Sequence, residues 1–201
     1  GLNFNHDWKN GHELNGSYIF DHLDRDTETK TLRENYLPTG SLRFEDETFE
    51  NNLRQGHRFN LGLESELDSL HQIRWDLRLN STMNERLVEG SSQTLDANNV
   101  LQNESDRYQQ LQGQRRNVES EFLFRHRFKQ AGRSLSAGFN FNLGDNQREA
   151  DIRSRNRYFH SDQVLLDSII QAQNTHSEVL GYGLNVTHIE PLGKRRYLEF
   201  L

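Results

Sequence analysis

Several residue types and patterns are absent from these 201 residues, and each absence excludes a class of protein. The chain has no cysteine, which excludes a disulfide scaffold and a thiolate metal site. No run of about 18 apolar residues occurs, so the sequence predicts no transmembrane helix. The formal net charge is −6 with both signs interspersed, and no basic patch indicates nucleic acid as a partner.

Apolar residues are scarce, at 32% of the chain, which is few for an ordinary globular core. They alternate with polar residues, most clearly in residues 117–144, where a short break at 129–133 separates two alternating stretches. A period of two is typical of β-strands, because successive side chains point to opposite faces. This segment therefore predicts an antiparallel hairpin with one apolar face.

The hairpin pattern recurs about every sixty residues, with tight turns near residues 10, 68, 131 and 192. The first is at Asn10-Gly11 and the last within Pro191-Leu192-Gly193-Lys194. Long polar stretches lie between the hairpins. We interpret the first as strands that continue beyond the apolar zone to a loop near Pro38, and we expect the second tip at residues 96–99. The apolar cluster at 164–170 fits either a short helix capped by Ser161 or Asp162 or a strand.

The fold predicted is all-β: an antiparallel meander of about eight long strands, as a single segment over residues 1–201. Alternation alone fits a soluble sandwich or a membrane barrel, because both cover one apolar face. Three features favour a segment of a large transmembrane outer-membrane barrel. Short turns lie at one end and long polar excursions at the other, the polar face is densely charged, and Trp8, Phe128 and Tyr197 lie near tight turns as an interfacial girdle would.

The barrel hypothesis assigns one face to lipid and the other to a wet lumen. The expected lipid-facing residues are Phe59, Leu61, Leu63, Trp75, Leu77, Phe122, Phe124, Phe139, Phe141 and Leu184. The expected polar wall of the lumen consists of Glu64, Glu66, Arg74, Asp76, Arg78, Glu119, Glu121, Arg125 and Arg127. Each charged residue alone is as well explained by cross-strand pairing of opposite charges. The alternative to the barrel is a soluble all-β module that binds a ligand or carbohydrate.

The turn Glu190-Pro191-Leu192, after Thr187-His188-Ile189, resembles a strand ending of the outer-membrane β-barrel proteins of the Bacteroidetes that are related to TonB-dependent receptors. Asp68-Ser69, followed by Ile73-Arg74, and the opening Gly1-Leu2-Asn3-Phe4 are similar to the same family. These motifs are short, and they are distributed along the whole chain.

The resemblance implies a bacterial outer-membrane location, periplasmic tight turns, extracellular long loops and uptake of an extracellular ligand. It also implies two partners, outer-membrane lipid and a TonB-type energy-coupling protein. The contact with the TonB-type protein would be made by parts of the family's architecture that residues 1–201 do not contain, such as the plug domain. The chain would then be an internal piece of a longer barrel protein. No catalytic or ligand motif of the family maps onto it, so we expect no enzyme and no cofactor.

Candidate metal ligands are weak in the sequence. The chain has nine histidines, but none lies in a His-x-Glu-x-x-His or comparable motif. His6, His126 and His188 share the apolar parity near strand ends, which suits an interface better than a metal. The acidic run Asp21, Asp24, Asp26 and Glu28 could bind calcium on a loop or be a solvated charged loop, and the missing turn glycine favours the second interpretation. Ser134 and Ser136 lack the context of a nucleophile elbow.

Overall fold

The computed structural model describes residues 1–9, 11–38, 40–160, 163–193 and 196–201. These ranges contain strands and no helix. The eight strands are β1 (Leu2–Trp8), β2 (His12–Leu37), β3 (Gly40–Glu66), β4 (His71–Asp96), β5 (Leu101–Arg127), β6 (Ser134–His160), β7 (Gln163–Gly193) and β8 (Arg196–Phe200). In the described part of the chain, no helix is long and apolar enough to cross a membrane.

All eight strands form one antiparallel sheet in the order β1 to β8, so the predicted meander is confirmed. The sheet is open. Its edge strands β1 and β8 have 7 and 5 residues, and among the described residues they do not pair with each other. Because β1 and β8 are short, β2 and β7 have no neighbouring strand along most of the side that faces away from the sheet. The described residues therefore do not form a closed barrel.

The turns lie close to the predicted positions. Gly11 and Gly132 adopt positive φ angles of 76° and 84° in the β1–β2 and β5–β6 turns, a conformation that glycine adopts without strain. Asn99, with φ of 60°, lies at the β4–β5 tip, as expected. Pro191 and Leu192 belong to β7, which continues to Gly193, so the prediction that they form a turn is wrong. Asn10, Thr39 and Lys194 lie outside the described residues.

The polar stretches are paired strands rather than loops. The β2–β3 pairing continues up to Leu37 and Gly40, which confirms the interpretation of extended strands. The cluster at 164–170 is also a strand, since Leu165 pairs with Tyr158 and Ile170 with Arg153. Ser161 and Asp162, the alternative helix caps, lie outside the described residues. The acidic run is part of β2, so the expectation of a loop there is wrong.

The sheet is a single layer, and its core is correspondingly thin. Among the described residues only three hydrophobic side chains are buried, namely Val88, Leu111 and Ala150, which are 3%, 5% and 6% exposed. Leu111 and Ala150 are directly paired across β5 and β6. No described side chain is completely buried, and many large apolar ones are exposed. The sheet therefore has little core of its own.

The tight-turn ends of the hairpins are staggered along the sheet. A single row of directly paired residues crosses six strands through His12, Ser65, Ile73, Phe124, Ala137 and Val186. Past this row β3 continues to Glu66, β5 to Arg127 and β7 as far as Gly193. The stagger is roughly one to two residues per strand, and a closed barrel with one residue per strand has strands tilted by about 36°.

Candidate functional site

One face of the sheet carries a continuous apolar band near the tight turns. Alternate residues of adjacent strands are directly paired, so they point to the same side. The band consists of Phe59, Leu61, Leu63, Ile73, Trp75, Leu77, Leu79, Val118, Ser120, Phe122, Phe124, Ala137, Phe139, Phe141, Leu143, Leu180, Tyr182, Leu184 and Val186. All ten residues expected to face lipid belong to it, and none of them is buried.

The apolar band has the same length on β4, β5, β6 and β7. The inner margin, next to the tight turns, consists of His71, His126, Leu135 and His188. The outer margin consists of Ser81, Arg116, Asp145 and Glu178. On each strand these margins are ten residues apart, which corresponds to about 33 Å along the strand.

Polar groups inside and beside the apolar band find partners within the sheet. Ser120 is the only non-aromatic polar residue of the band, and its hydroxyl accepts a hydrogen bond from Trp75 Nε1 at 2.9 Å. At the inner margin, His71 Nε2 and His126 Nδ1 are 2.8 Å apart, and Phe128 contacts His126 edge-on at 4.4 Å between centroids. Aromatic and histidine side chains thus line the margin next to the tight turns, as expected for His126 and His188.

The opposite face is polar at the same level of the sheet, and the register places all nine predicted wall residues on it. Arg74 Nε donates to Asp76 Oδ2 at 2.9 Å, and Arg78 lies 3.6 Å from Glu119. Glu64 accepts a hydrogen bond from Gln72 at 2.6 Å. Of these three contacts, Arg78–Glu119 is a cross-strand ion pair, whereas Arg74 and Asp76 lie on the same strand and Gln72 is neutral.

A groove of about 540 Å³ opens on this polar face behind the apolar band. Arg74, Asp76 and Glu121 line it from one side, and Asn140 and Asn185 line it from the other. A smaller cavity beside it, of about 100 Å³, is bordered by Glu64, Arg74 and Arg125. The structure therefore brings together five of the predicted wall residues. Glu66 and Arg127 lie at the tight-turn ends of their strands instead.

A larger groove was not expected from the sequence, and it lies on the extended part of the sheet. This outer groove has a volume of about 730 Å³ and is lined by all strands from β2 to β7. Its acidic wall includes Glu47, Glu89 and Asp106, whereas Arg153 and Arg155 lie on the β6 side. Most of its side chains share the face of the apolar band, so it opens on the opposite face from the predicted lumen. Only the cross-strand register could have indicated it.

The outer part of the polar face is held by an ion pair. Arg86 Nη2 donates to Glu50 Oε2 at 2.7 Å, between β4 and β3. This hydrogen bond from Arg86 holds the pKa of Glu50 below its usual range and raises the pKa of Arg86. Arg86 is directly opposite the buried Leu111. The pair therefore covers the small apolar cluster of the extended strands.

The acidic run does not form a calcium loop. Because β2 alternates, Asp21 lies on the opposite face from Asp24, Asp26 and Glu28. Asn51 Nδ2 donates to Asp24 Oδ1 at 3.2 Å and to Asp26 Oδ1 at 2.7 Å, so two of the carboxylates are bound to the neighbouring strand. Among the described residues, three potential metal-ligating side chains converge at one place only, at Asp145, His176 and Glu178.

Comparisons with known proteins assign no relative to this chain. No protein-family model matches it, and a search of curated proteins finds no similar sequence.

Proposed function

We propose that residues 1–201 form part of the wall of an outer-membrane β-barrel, with the apolar band in contact with lipid and the polar face lining an aqueous lumen. The carrying observation is the extent of the apolar band along the strands. At the tilt of 35–45° found in such barrels, ten residues correspond to about 23–27 Å, and the apolar belt of these barrels is about 25 Å tall.

The stagger of the tight turns supports the same proposal. Closing a sheet into a barrel requires tilted strands and a cumulative register shift of about the size seen from β3 to β7. The open edges of the sheet are consistent with the barrel proposal as well. The backbone N–H and C=O groups of an unpaired strand edge can form hydrogen bonds with a further strand. In the assembled barrel, the free edges of β2 and β7 pair with strands that residues 1–201 do not supply.

The groove on the polar face supports a role in solute passage. Arg74, Asp76 and Glu121 present charges of both signs beside the amides of Asn140 and Asn185. Such a lining suits a hydrated polar solute. Together with the family resemblance, it favours a receptor or transporter that takes up an extracellular ligand. Coupling to a TonB-type protein rests on the resemblance, and no residue of 1–201 is assigned to it.

The experiment that tests the barrel wall uses the lack of cysteine in residues 1–201, and any cysteine elsewhere in the full-length protein is first replaced by serine. Single cysteines are placed along β5 at residues 118–126, in the full-length protein in its native membrane, and labelled with a membrane-impermeant maleimide. Cysteines at Glu119 and Glu121 react. Cysteines at Val118 and Phe122 do not react from water, and a lipid-soluble probe attached there is quenched by bromolipid.

A matched control lies on the same strand beyond the outer margin. Gln110 and Gln112 share the face of Val118 and Phe122, yet both lie past Arg116 and outside the lipid. Cysteines at these positions react with the impermeant maleimide. Equal labelling of both faces between residues 118 and 126 would falsify the barrel wall.

The outer groove favours a second candidate, a soluble all-β binding module. Its volume of about 730 Å³ is in the range of ligand sites, and Phe49 and Tyr108 provide aromatic surface beside its charges. In this alternative a second protein layer covers the apolar band. Membrane fractionation separates the two, since the module stays in the soluble fraction and the barrel wall requires detergent for extraction.

A further inference from the structure

Three side chains with metal-ligating atoms converge on the outer margin of the apolar band. The Nε2 atom of His176 is 2.9 Å from Asp145 Oδ1 and 3.5 Å from Glu178 Oε1. One ligand atom from each residue lies within 4.8 Å of the others. None of the three residues takes part in the lipid-facing or lumen-facing roles proposed above.

The sheet itself positions this cluster. Asp145 on β6 is directly paired with Glu178 on β7, and His176 lies two residues from Glu178 on the same face. Two carboxylates directly opposite each other on adjacent strands repel, which destabilises the pairing. His176 contacts both of them through the same nitrogen, Nε2. A divalent cation in that position would neutralise both carboxylates at once.

The donor set indicates which cation fits. One imidazole nitrogen and two carboxylate oxygens, without thiolate, suit zinc and neighbouring divalent first-row metals, whereas calcium takes oxygen ligands only. In tetrahedral coordination at about 2.1 Å the ligand atoms are roughly 3.4 Å apart. The two distances from His176 Nε2, 2.9 and 3.5 Å, bracket that value, and the two carboxylate oxygens lie within 4.8 Å of each other.

The surroundings leave part of the coordination sphere open. The side chains of Asp145, His176 and Glu178 are 27%, 50% and 75% exposed. Three protein ligands with an accessible fourth position are the arrangement of an exchangeable or catalytic site rather than a closed structural one. The next residues on this face towards the tight turns are Leu143 and Leu180, so the cation would lie at the outer margin of the apolar band.

We propose that Asp145, His176 and Glu178 form a binding site for one zinc ion or a similar divalent first-row metal. The site bridges β6 and β7 and leaves its outward position free for water or a ligand with an anionic oxygen. This inference does not depend on the barrel, because the three ligands belong to the sheet itself.

The test is titration of the purified full-length protein with cobalt(II) and zinc(II), followed by absorption spectroscopy and calorimetry. We expect one equivalent of cobalt to give visible d–d absorption that zinc abolishes. His176→Gln and Asp145→Asn each weaken binding by at least about tenfold, since removing a ligand costs no less than disturbing its supporting shell. Circular dichroism of the same samples reports whether the sheet remains intact.

His22→Gln is the matched control. His22 and Asp24 have the same spacing and share one face of β2, but no third ligand joins them in the described structure. This variant keeps full metal affinity. Absence of stoichiometric binding in a folded protein, or binding that His176→Gln leaves unchanged, overturns the site. Neither metal-binding result affects the outcome of the cysteine labelling of β5. The metal site and the barrel wall can therefore be refuted independently of each other.

Discussion

Asp68 organises the β3–β4 turn through its own side chain. Its Oδ1 atom accepts hydrogen bonds from the backbone N–H groups of Leu70 at 2.7 Å and His71 at 2.9 Å, and the His71 ring contacts the same carboxylate. These bonds, led by the one from Leu70, hold the pKa of Asp68 below its usual range. An aspartate that binds the backbone two residues ahead stabilises a turn because it satisfies N–H groups that no strand can reach.

Replacing Asp68 should expose this contribution as a pH dependence. A carboxylate whose pKa is lowered by folding stabilises fully above its unfolded pKa of about 4, and the stabilisation is lost as the pH falls through the lower folded value. We expect Asp68→Asn to unfold more easily than the parent at pH 6, and the difference to shrink as the pH falls through the folded pKa of Asp68, as measured by thermal unfolding. Asp68→Ala should be less stable than the parent both above and below that pKa. A constant difference between parent and Asn variant would contradict the role of the charge.

At the scale of the element, alternation in the sequence was sufficient to predict the strands near the tight turns but not their length. In β5, residues such as Gln109, Gln110 and Gln112 are polar on both faces, so no period of two marks the strand there. Pairing with β4 and β6 decides its structure instead. Strand pairing also decides the structure of residues 164–170, whose apolar spacing fits a helix as well as a strand. The sequence could not indicate the metal cluster either, because 31 residues separate Asp145 from His176.

The β4–β5 ladder offers a direct test of the charged wall. Asp76 and Glu121 are directly opposite each other, and Arg74 binds Asp76 at 2.9 Å. We expect Arg74→Ala to destabilise the sheet by about 0.5–1 kcal/mol, because it leaves two like charges facing each other. Adding Asp76→Asn should recover most of the loss. Chemical unfolding of the four proteins of this double-mutant cycle measures the coupling.

Arg78→Ala is the control on the same pair of strands. Arg78 faces only one carboxylate, that of Glu119, so its removal leaves no opposed pair of acids. The loss should be smaller than for Arg74→Ala. Equal losses without recovery by Asp76→Asn would mean that Arg74 acts through its aliphatic stem rather than through its charge.

For the whole molecule, the difference between the two faces is the property on which the proposed function depends. Leu184 lies in the middle of the apolar band, between Glu178 and His188, and its neighbour Asn185 lies at the same height on the polar face. In a soluble sheet with solvent on both sides, a charge at either position would have a similar effect. In a membrane wall the two positions differ, because lipid cannot solvate the charge.

Leu184→Arg should therefore destabilise the membrane-embedded protein by about 2–4 kcal/mol, whereas Asn185→Arg should change its stability little. Urea unfolding in lipid vesicles, with heat-modifiable gel migration as a second readout, measures both variants. A similar loss for both would show that the apolar band contacts protein or water instead of lipid.

The paired extensions of β2 to β7 beyond the outer margin constrain how such a sequence can change over generations. A residue inserted at a hairpin tip, at Pro38 or between Asp96 and Leu101, lengthens the hairpin and leaves every side chain beneath it on its original face. A single insertion within a strand exchanges the two faces on one side of it unless a bulge absorbs the extra residue. We therefore expect insertions and deletions to be tolerated at the tips and selected against within the strands.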